Sequence, residues 1–262
     1  MSIPAEGYPL AAAVTPRLHV IESVPSTNAK LVHDAGADPN AHPHLSVVLT
    51  RDQTAGRGRL DRTWSAPGGT AIAVSVLLRV GAVATVDRGW IPLVAGAAMT
   101  EAVAAQLGGL DVALKWPNDV LVGAGVGARK ICGILTEVLP TDPQSVVVGA
   151  GVNTTMEAVD LPVPTATSFA ALDREVDEDR LVADFLTRLR DGVADLAVGG
   201  HAAVAAWIEE RCATLGAEVA VSLPDDTTLR GRALRLDAEG RLVVASEGVE
   251  TVVAAGDVIH VR

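Results

Sequence analysis

The chain has 262 residues, enough for one large domain or for a main domain with a small appendage. Apolar residues make up 49% of it but aromatic residues only 3%, so alanine and valine must fill most of the core. The formal net charge of −11 argues against non-specific binding to nucleic acids or anionic membranes, because both repel an acidic surface.

The sequence also indicates the compartment. It contains neither the succession of basic, apolar and small residues of a secretory signal nor an apolar run of the roughly 18 residues expected of a membrane span. Its two cysteines, Cys132 and Cys212, are too few for the disulfide framework of a small secreted protein. We therefore expect reduced, buried thiols, a cytoplasmic location, and no membrane or DNA partner.

The N-terminal part predicts an arm, a strand and a helix. Residues 1–16 contain three prolines and a run of alanines, which favours a flexible arm. Arg17–Glu22 alternates as a short strand. Ser26-Thr27-Asn28 then begins a helix that extends to about Gly36, with Ser26 or Thr27 as its N-cap. Hydroxyl groups at a helix start serve equally well as caps and as ligand contacts.

A basic, glycine-rich stretch follows at Gln53–Trp64, with three arginines and two glycines within residues 56–62. A strand-like run, Ser46–Thr50, precedes it, and an alternating run, Thr70–Arg79, follows it. Glycine lets the backbone approach a ligand closely, and arginine supplies a planar fork of donors that matches phosphate or carboxylate oxygens. The pattern indicates an anion-binding loop; a solvated hairpin loop with incidental charge is the alternative.

The middle of the chain predicts a central helix followed by strands. Gly89–Leu107 is apolar on nearly all sides, which predicts a buried helix, and Pro92 is tolerated in its first turn. The strands predicted after it are Val112–Lys115, Val120–Val122, Lys130–Val138 and Ser145–Val152. The glycine run at 123–127 precedes a strand-like segment rather than a helix, so we expect a hairpin turn and not a dinucleotide-binding loop.

The C-terminal third changes from helical to strand periodicity. Apolar residues recur at helical spacing at Leu181, Phe185, Leu189, Val193 and Leu196, and again at Val204, Trp207, Ile208 and Leu215. Gly199-Gly200 separates these two helices. Past Gly216, short alternating strands with turns at 224–226 and 238–240 predict a small all-β barrel. The predicted divisions are a flexible arm at 1–16, a main α/β domain at 17–215 and a β-barrel domain at 216–262.

Four motifs occur in the order in which biotin protein ligases have them. They are Ser26-Thr27-Asn28, Gly56-Arg57-Gly58-Arg59, Lys115-Trp116-Pro117-Asn118-Asp119, and the stretch from Arg129 and Lys130 to Glu137. The region from about Ser23 to Asn153 therefore resembles the catalytic module of that family. Lys-Trp-Pro-Asn-Asp is the most specific piece. One departure is Asp61, where the family usually has glycine.

The resemblance implies a fold and a function. The fold is a mixed-sheet α/β domain of the biotin/lipoate ligase superfamily with a small C-terminal SH3-like β-barrel. The function is ATP-dependent formation of biotinyl-5′-AMP, assisted by Mg²⁺, and transfer of biotin to a lysine of the biotin carboxyl carrier domain of an acyl-CoA carboxylase. The match begins about twenty residues in, so we expect a ligase without a DNA-binding domain, as a monomer or weak dimer.

The resemblance also implies roles for individual residues. Biotin would be held by Ser26, Thr27, Asn28, Gln53, Gly56, Gly58, Gly149 and Gly151. Arg57 and Arg59 would bridge the biotin carboxylate and ATP, and Lys115 would be the fixed cation between the two reacting anions. ATP would also contact Trp64, Asn118, Lys130 and Asn153. The metal-binding residues stay unassigned.

Purely structural roles remain open for several of these residues. Lys115 is alternatively an exposed strand-end lysine, and Asn118 and Asp119 are alternatively turn residues. For Trp116 we expect core packing, because the residue before a proline is held extended. Among whole-protein functions, the alternatives are a lipoate-type ligase of the same superfamily and a non-catalytic small-ligand-binding module.

Overall fold

A computed structural model describes residues 7–60, 62–223, 227–254 and 256–261. Asp61 and the predicted turn at 224–226 lie outside the described residues. The helices are α1 (Pro9–Val14), α2 (Thr27–Ala37), α3 (Ile91–Gln106), α4 (Glu178–Gly199) and α5 (His201–Arg211). The strands are β1 (Arg17–Ile21), β2 (Ser46–Thr50), β3 (Gly56–Arg57), β4 (Thr63–Trp64), β5 (Ala71–Arg79), β6 (Val112–Lys115), β7 (Asp119–Val122), β8 (Arg129–Leu139), β9 (Asp142–Asn153), β10 (Glu218–Ser222), β11 (Thr228–Leu236), β12 (Leu242–Ser246), β13 (Val249–Val253) and β14 (Asp257–His260).

A seven-stranded mixed sheet forms the centre of the main domain, in the order β1-β2-β5-β9-β8-β7-β6. Only β1 and β2 pair in parallel; the other neighbours are antiparallel. β5 is buried along almost its whole length because both faces of the sheet are covered. Its valines and leucines suit that position, since β-branched and aliphatic side chains pack well on a pleated surface.

Helices cover the two faces unequally. α3 packs on β6, β7 and β8 and is itself covered by α4 and α5, which explains why it is apolar on nearly all sides. α2 lies on the opposite face, where Leu31 and Ala35 pack against Val48, Leu77 and Val147. α2 has only eleven residues and leaves part of that face uncovered. The functional cleft described below occupies the uncovered part.

Part of the predicted flexible arm is a docked helix. The backbone N–H groups of Leu10 and Ala11 each donate to Asp179 at 2.9 Å, which caps the start of α1. Tyr8 donates its hydroxyl hydrogen to Glu178 at 3.0 Å. The prediction therefore fails for this segment, because its partners lie about 170 residues away in sequence. Residues 1–6 lie outside the described part.

The remaining element predictions agree closely with the structure. α2 begins after Ser26, whose hydroxyl accepts a hydrogen bond from the first turn, as an N-cap does. The predicted Gly89 start of the central helix is replaced by a 3₁₀ turn over Thr85–Trp90, and α3 begins at Ile91. The glycine run at 123–127 joins the antiparallel strands β7 and β8, so it is the expected hairpin connection.

The C-terminal strands form one antiparallel sheet in the order β13-β12-β11-β10-β14. Its apolar face shares a continuous core with the main domain. Two indole N–H groups of the main domain donate to the turn between β11 and β12: Trp90 to Ala238 O and Trp116 to Gly240 O, both at 3.0 Å. Trp116 is 3% exposed, which confirms its predicted place in the core. Helix α5 ends at Arg211 and β10 begins at Glu218, so we propose that the boundary between the two domains lies near residue 216.

Both cysteines are buried, as expected, and both are free thiols. Burial raises the pKa of the Cys132 thiol and of the Cys212 thiol, so both stay protonated and unreactive at neutral pH. Among the described residues, no helix is both long and apolar enough to cross a membrane.

The contact between the two domains yields a stability prediction. A Cβ atom at Gly89 would lie 2.2 Å from the carbonyl oxygen of Glu239, a backbone atom that cannot move independently. Gly89→Ala should lower the free energy of unfolding by about 1–3 kcal/mol, the usual cost of overpacking. Gly108→Ala is the matched control, because nothing lies within 4 Å of a Cβ atom there. Urea unfolding of both variants measures the difference, and equal stabilities would contradict the tight contact.

Candidate functional site

A cleft opens on the face of the sheet that carries α2. Its floor forms where three adjacent strands carry small residues: Gly133 on β8 lies opposite Gly151 on β9, which lies opposite Ala73 on β5. Gly149 faces the same side, because side chains alternate along a strand. The cleft over this floor is open to solvent, and Asn28 and Trp64 lie directly against its glycines.

Neutral polar groups form one end of the cleft. Thr27 donates to Gln53 Oε1 twice, from its backbone N at 2.9 Å and from its hydroxyl at 3.1 Å. The Ser75 hydroxyl lies 2.8 Å from Thr27 Oγ1 and 2.6 Å from Asn28 Oδ1. Ser26, Thr27 and Asn28 are all buried at the start of α2. This end is suited to an uncharged ligand group that both donates and accepts hydrogen bonds.

Asn28 links this neutral end to an arginine. Its Nδ2 donates to Glu137 Oε2 at 2.8 Å and to the carbonyl oxygen of Leu135 at 3.2 Å. Glu137 in turn pairs with Arg57, whose Nη2 lies 2.9 Å from Oε1 and 3.0 Å from Oε2. The amide of Asn28 therefore bonds to protein partners on both sides, and the residue connects two parts of the cleft wall.

The basic stretch forms a small hairpin over the cleft. β3 pairs with β4 so that Gly56 lies opposite Trp64 and Arg57 opposite Thr63. A Cβ atom at Gly56 would lie 2.5 Å from both Gln53 Nε2 and the carbonyl oxygen of Trp64. Glycine is thus required at this position, because the hairpin lies close to Gln53. Gln53 belongs to the neutral end of the cleft.

Three further cations line the cleft beside Arg57: Arg59, Arg62 and Lys130. Arg59 Nη1 donates to Asn118 Oδ1 at 3.0 Å, and Asn118 Nδ2 donates to the carbonyl oxygen of Ile134 at 2.8 Å. Lys130 Nζ lies 2.6 Å from Asp119 Oδ1. Four cationic residues therefore line one cleft in an acidic protein, an arrangement that favours binding of an anionic ligand.

The ring of Trp64 covers the glycine floor. A Cβ atom at Gly151 would lie 2.5 Å from Cε2 of this indole, so the ring rests directly on the strand backbone. Lys130 Nζ lies 5.8 Å from the ring centroid, within the range of a cation–π contact. A flat aromatic surface beside a cation is suited to a planar ligand group that carries phosphate.

Most of the predicted site residues come together in the cleft. Those that line it are Ser26, Thr27, Asn28, Gln53, Arg57, Gly58, Arg59, Trp64, Asn118, Lys130, Gly149 and Gly151. Gly56 lies behind the wall, at the base of the hairpin. Lys115 and Asn153 fall outside the described residues that line the cleft.

Lys115 is not among the described residues that line the cleft, and its predicted role stays a prediction. It lies at the end of β6, the edge strand, opposite Asp119 in register. Its charge acts on His260 of the C-terminal sheet: burial, and after it the Lys115 ammonium, lowers the pKa of that imidazole. A strand-end position was correctly predicted, but a different lysine, Lys130 on β8, lines the cleft, and β7 separates β8 from β6.

Asn153 also lies outside the described cleft lining, and its predicted contact with the nucleotide stays a prediction. Its side chain is buried, and Nδ2 donates to the carbonyl oxygen of Thr167 at 2.8 Å. The residue therefore fastens the segment after β9 to the loop that contains Thr167, rather than presenting its amide to the cleft. The sequence could not show this, because the asparagine directly follows the glycine-rich strand that does line the cleft.

Sequence reasoning missed several contributors, among them Asp119, Glu137 and Gly256. Asp119 and Glu137 form ion pairs with cations of the cleft. Both lie inside recognised motifs, and their negative charge was the signal that could have identified them as partners of the basic residues. Gly256, from the C-terminal domain, also lines the cleft. Nothing in the local sequence pattern indicates that contact, since it depends on how the two domains pack.

The fold and the site together define an α/β ligand-binding domain with a C-terminal accessory sheet, built around a cleft that is neutral at one end and cationic at the other. Residues 20–153 match the Biotin/lipoate A/B protein ligase family, and residues 214–261 match the Biotin protein ligase C terminal domain. The chain is 37% identical over 253 residues to a biotin--[acetyl-CoA-carboxylase] ligase of Mycobacterium tuberculosis, covering 94% of this chain and 90% of the relative.

The chain also resembles a second relative and a solved structure. The bifunctional ligase/repressor BirA of Bacillus subtilis is 27% identical over 244 residues, covering 90% of this chain and 72% of the relative. The biotin protein ligase of Aquifex aeolicus in complex with biotin and ATP superposes with a TM-score of 0.75 at 23% identity, covering 93% and 97% of the two chains, and it shares the fold. The chain belongs to the biotin/lipoate protein ligase family, and within it to the biotin protein ligases.

The family implies Mg²⁺, and the cleft contains suitable donors. Magnesium in nucleotide sites is usually held by one or two carboxylates together with phosphate oxygens and water. Asp119 and Asn118 offer side-chain oxygens in the cleft wall beside the cations. In the described part of the chain, no three His, Cys, Asp or Glu side chains converge on one point. These two residues therefore fit a metal bound mainly through the nucleotide, where it would neutralise phosphate charge.

The contact between Trp64 and the floor yields a second prediction. Gly151→Ala should push the indole ring off the strand and increase quenching of tryptophan fluorescence by acrylamide, because Trp90 and Trp116 stay buried. The matched control is Gly127→Ala, where nothing lies within 4 Å of a Cβ atom. Quenching unchanged from that of the control would show that Trp64 does not rest on Gly151.

Proposed function

We propose that the protein activates biotin with ATP and transfers it to a lysine of a biotin carboxyl carrier domain. The strongest support is the polarity of the cleft: uncharged donors and acceptors at one end, a glycine floor between, and four cations at the other. Biotin has the same order, with an uncharged ureido ring at one end and a carboxylate at the end of its aliphatic chain. The names of the relatives agree with this proposal.

In the first step, a biotin carboxylate oxygen attacks the α-phosphorus of ATP. A phosphorus–oxygen bond forms, the bond to the β-phosphate breaks, and diphosphate leaves. Ser26, Thr27 and Gln53 hold the ureido ring, while Gly149 and Gly151 let Asn28 and Trp64 pack against the strand and line the space that the ligand enters. Holding both reactants in one cleft removes much of the entropic barrier to their meeting.

The cations act where negative charge accumulates. Arg57 and Arg59 bind the carboxylate and phosphate oxygens, and Lys130 stabilises the charge that develops at the α-phosphate. Trp64 covers the adenine or the acyl chain, and Asn118 contacts the nucleotide. Lys130 takes the role first assigned to Lys115, because its ammonium lies in the cleft wall next to Trp64 and Asp119.

In the second step, the amine of the acceptor lysine attacks the acyl carbon of biotinyl-5′-AMP. A carbon–nitrogen bond forms, the mixed anhydride bond breaks, and AMP leaves with its electron pair while the amine loses a proton to solvent. The acceptor is the carrier domain of an acyl-CoA carboxylase. Such a carboxylase, ATP and two reduced thiols are together consistent with a cytoplasmic location.

Transfer to a carrier tests the whole proposal. Incubation of the protein with biotin, MgATP and a recombinant biotin carboxyl carrier domain should add one biotinyl group to the carrier, as measured by intact mass spectrometry. A carrier whose acceptor lysine is replaced by arginine is the control and should stay unmodified. Lipoate in place of biotin tests the related alternative. Diphosphate release with lipoate but not with biotin would reject biotin as the substrate.

The two lysines give a sharper prediction about mechanism. Lys130→Ala should slow single-turnover diphosphate release by on the order of a hundredfold, the usual effect of removing one preorganised electrostatic group. Lys115→Ala should change the rate little, because that ammonium lies at the edge strand near His260. Thermal unfolding controls for misfolding. A large loss with Lys115→Ala and a small loss with Lys130→Ala would return the role to Lys115.

A further inference from the structure

A continuous chain of polar contacts joins the neutral end of the cleft to the arginine hairpin. Its members are, in order, Gln53, Thr27, Ser75, Asn28, Glu137 and Arg57. Every link is 3.1 Å or shorter, so each lies within ordinary hydrogen-bond distance. The group proposed to hold the ureido ring is therefore linked to the group proposed to hold the carboxylate.

Glu137 is the link at which this chain leaves the core. Asn28, which donates to it, is only 4% exposed and is fixed between Ser75 and the backbone of Leu135. A Cβ atom at Gly149 would lie 2.2 Å from Asn28 Oδ1, so the amide is also packed tightly on the floor. A rigid buried amide thus fixes the carboxylate of Glu137 on the sheet.

Arg57 is the more exposed partner of the pair. Its side chain is 50% exposed against 26% for Glu137, and it stands on a two-stranded hairpin rather than on the central sheet. One terminal nitrogen of Arg57 approaches both carboxylate oxygens within 3.0 Å. The order of rigidity therefore runs from the sheet through Glu137 to Arg57, and the carboxylate determines where the guanidinium lies.

We propose that Glu137 is a positioning residue that sets the distance and orientation of Arg57 relative to the neutral end of the cleft. The role rests on the proposed function, because Arg57 is taken to hold the carboxylate and, after activation, the acyl phosphate. Glu137 does not contact substrate itself. It acts through Arg57, and it makes the anion-binding end match the length of the acid held at the other end.

The competing explanation is an ordinary surface ion pair. Exposed pairs contribute little to stability and many contribute nothing measurable. The pair between Arg235 and Glu250 on the C-terminal sheet is such a pair, at 2.7 Å with both side chains about half exposed. It has the same residue types far from the cleft, so Glu250→Gln is a matched control for Glu137→Gln.

The first experiment needs no substrate. Glu137→Gln keeps an oxygen that accepts from Asn28 but removes the charge that holds Arg57. Trypsin should then cut after Arg57 or Arg59 about fivefold faster than in the unmodified protein, because loss of the pair favours local opening of the hairpin. Glu250→Gln should leave the cleavage rate at these bonds unchanged. Equal rates for Glu137→Gln and its control would overturn the positioning role.

The second experiment is a double-mutant cycle on the retention of biotinyl-5′-AMP, measured by its dissociation rate. Glu137→Gln alone should raise that rate about fivefold, as loss of one exposed charge pair allows. In a chain that already carries Arg57→Gln, the same change should have no further effect, because Glu137 acts only through Arg57. Additive effects, or a lowered thermal midpoint with normal dissociation, would overturn the proposal in favour of a purely structural role.

The two experiments also separate this inference from the proposed function. If the unmodified protein forms no biotinyl-5′-AMP, the proposed function fails, and the tryptic comparison still decides whether Glu137 holds Arg57. If the adenylate forms and Glu137→Gln on its own changes neither the tryptic cleavage rate nor the dissociation rate, only the positioning role fails.

Discussion

The close contact between small residues on neighbouring strands is the constraint on which the rest of the site depends. Gly133, Gly151 and Ala73 lie side by side on β8, β9 and β5, and the sheet there carries almost no side-chain volume. Because α2 covers only the adjoining part of that face, Trp64 and Asn28 occupy the space above the glycines, and the cleft opens beside them. Trp64 and Asn28 can lie against the backbone only because no Cβ atoms intervene.

Charge in the cleft is balanced locally. Arg57 and Lys130 each lie within 3.0 Å of a carboxylate, and Arg59 donates to an amide oxygen. Such partners keep cations oriented in a partly buried site, where unpaired charge is costly. The same partners mean that an anionic substrate joins an existing set of contacts, so the acidic residues belong to the site as much as the basic ones do.

The C-terminal sheet also contributes to the core and to the cleft. It shares a core with the main domain, receives hydrogen bonds from Trp90 and Trp116, and places Gly256 in the cleft wall. Trp116 belongs to the same motif as Asn118, which lines the cleft. One motif therefore supports the contact between domains with its tryptophan and the functional site with its asparagine, which explains why its residues have such different environments.

The sequence by itself determined the α/β class, most element positions, the anion-binding character of the arginine loop and the family, because these follow from local periodicity and from motifs of adjacent residues. Only the tertiary structure decided which lysine faces the cleft, since strand register places Lys130 there and Lys115 at the edge. It also decided that α1 docks on α4 and that Glu137 reaches Arg57. Those contacts join residues 80 to 170 positions apart, and no local pattern encodes a partner at that distance.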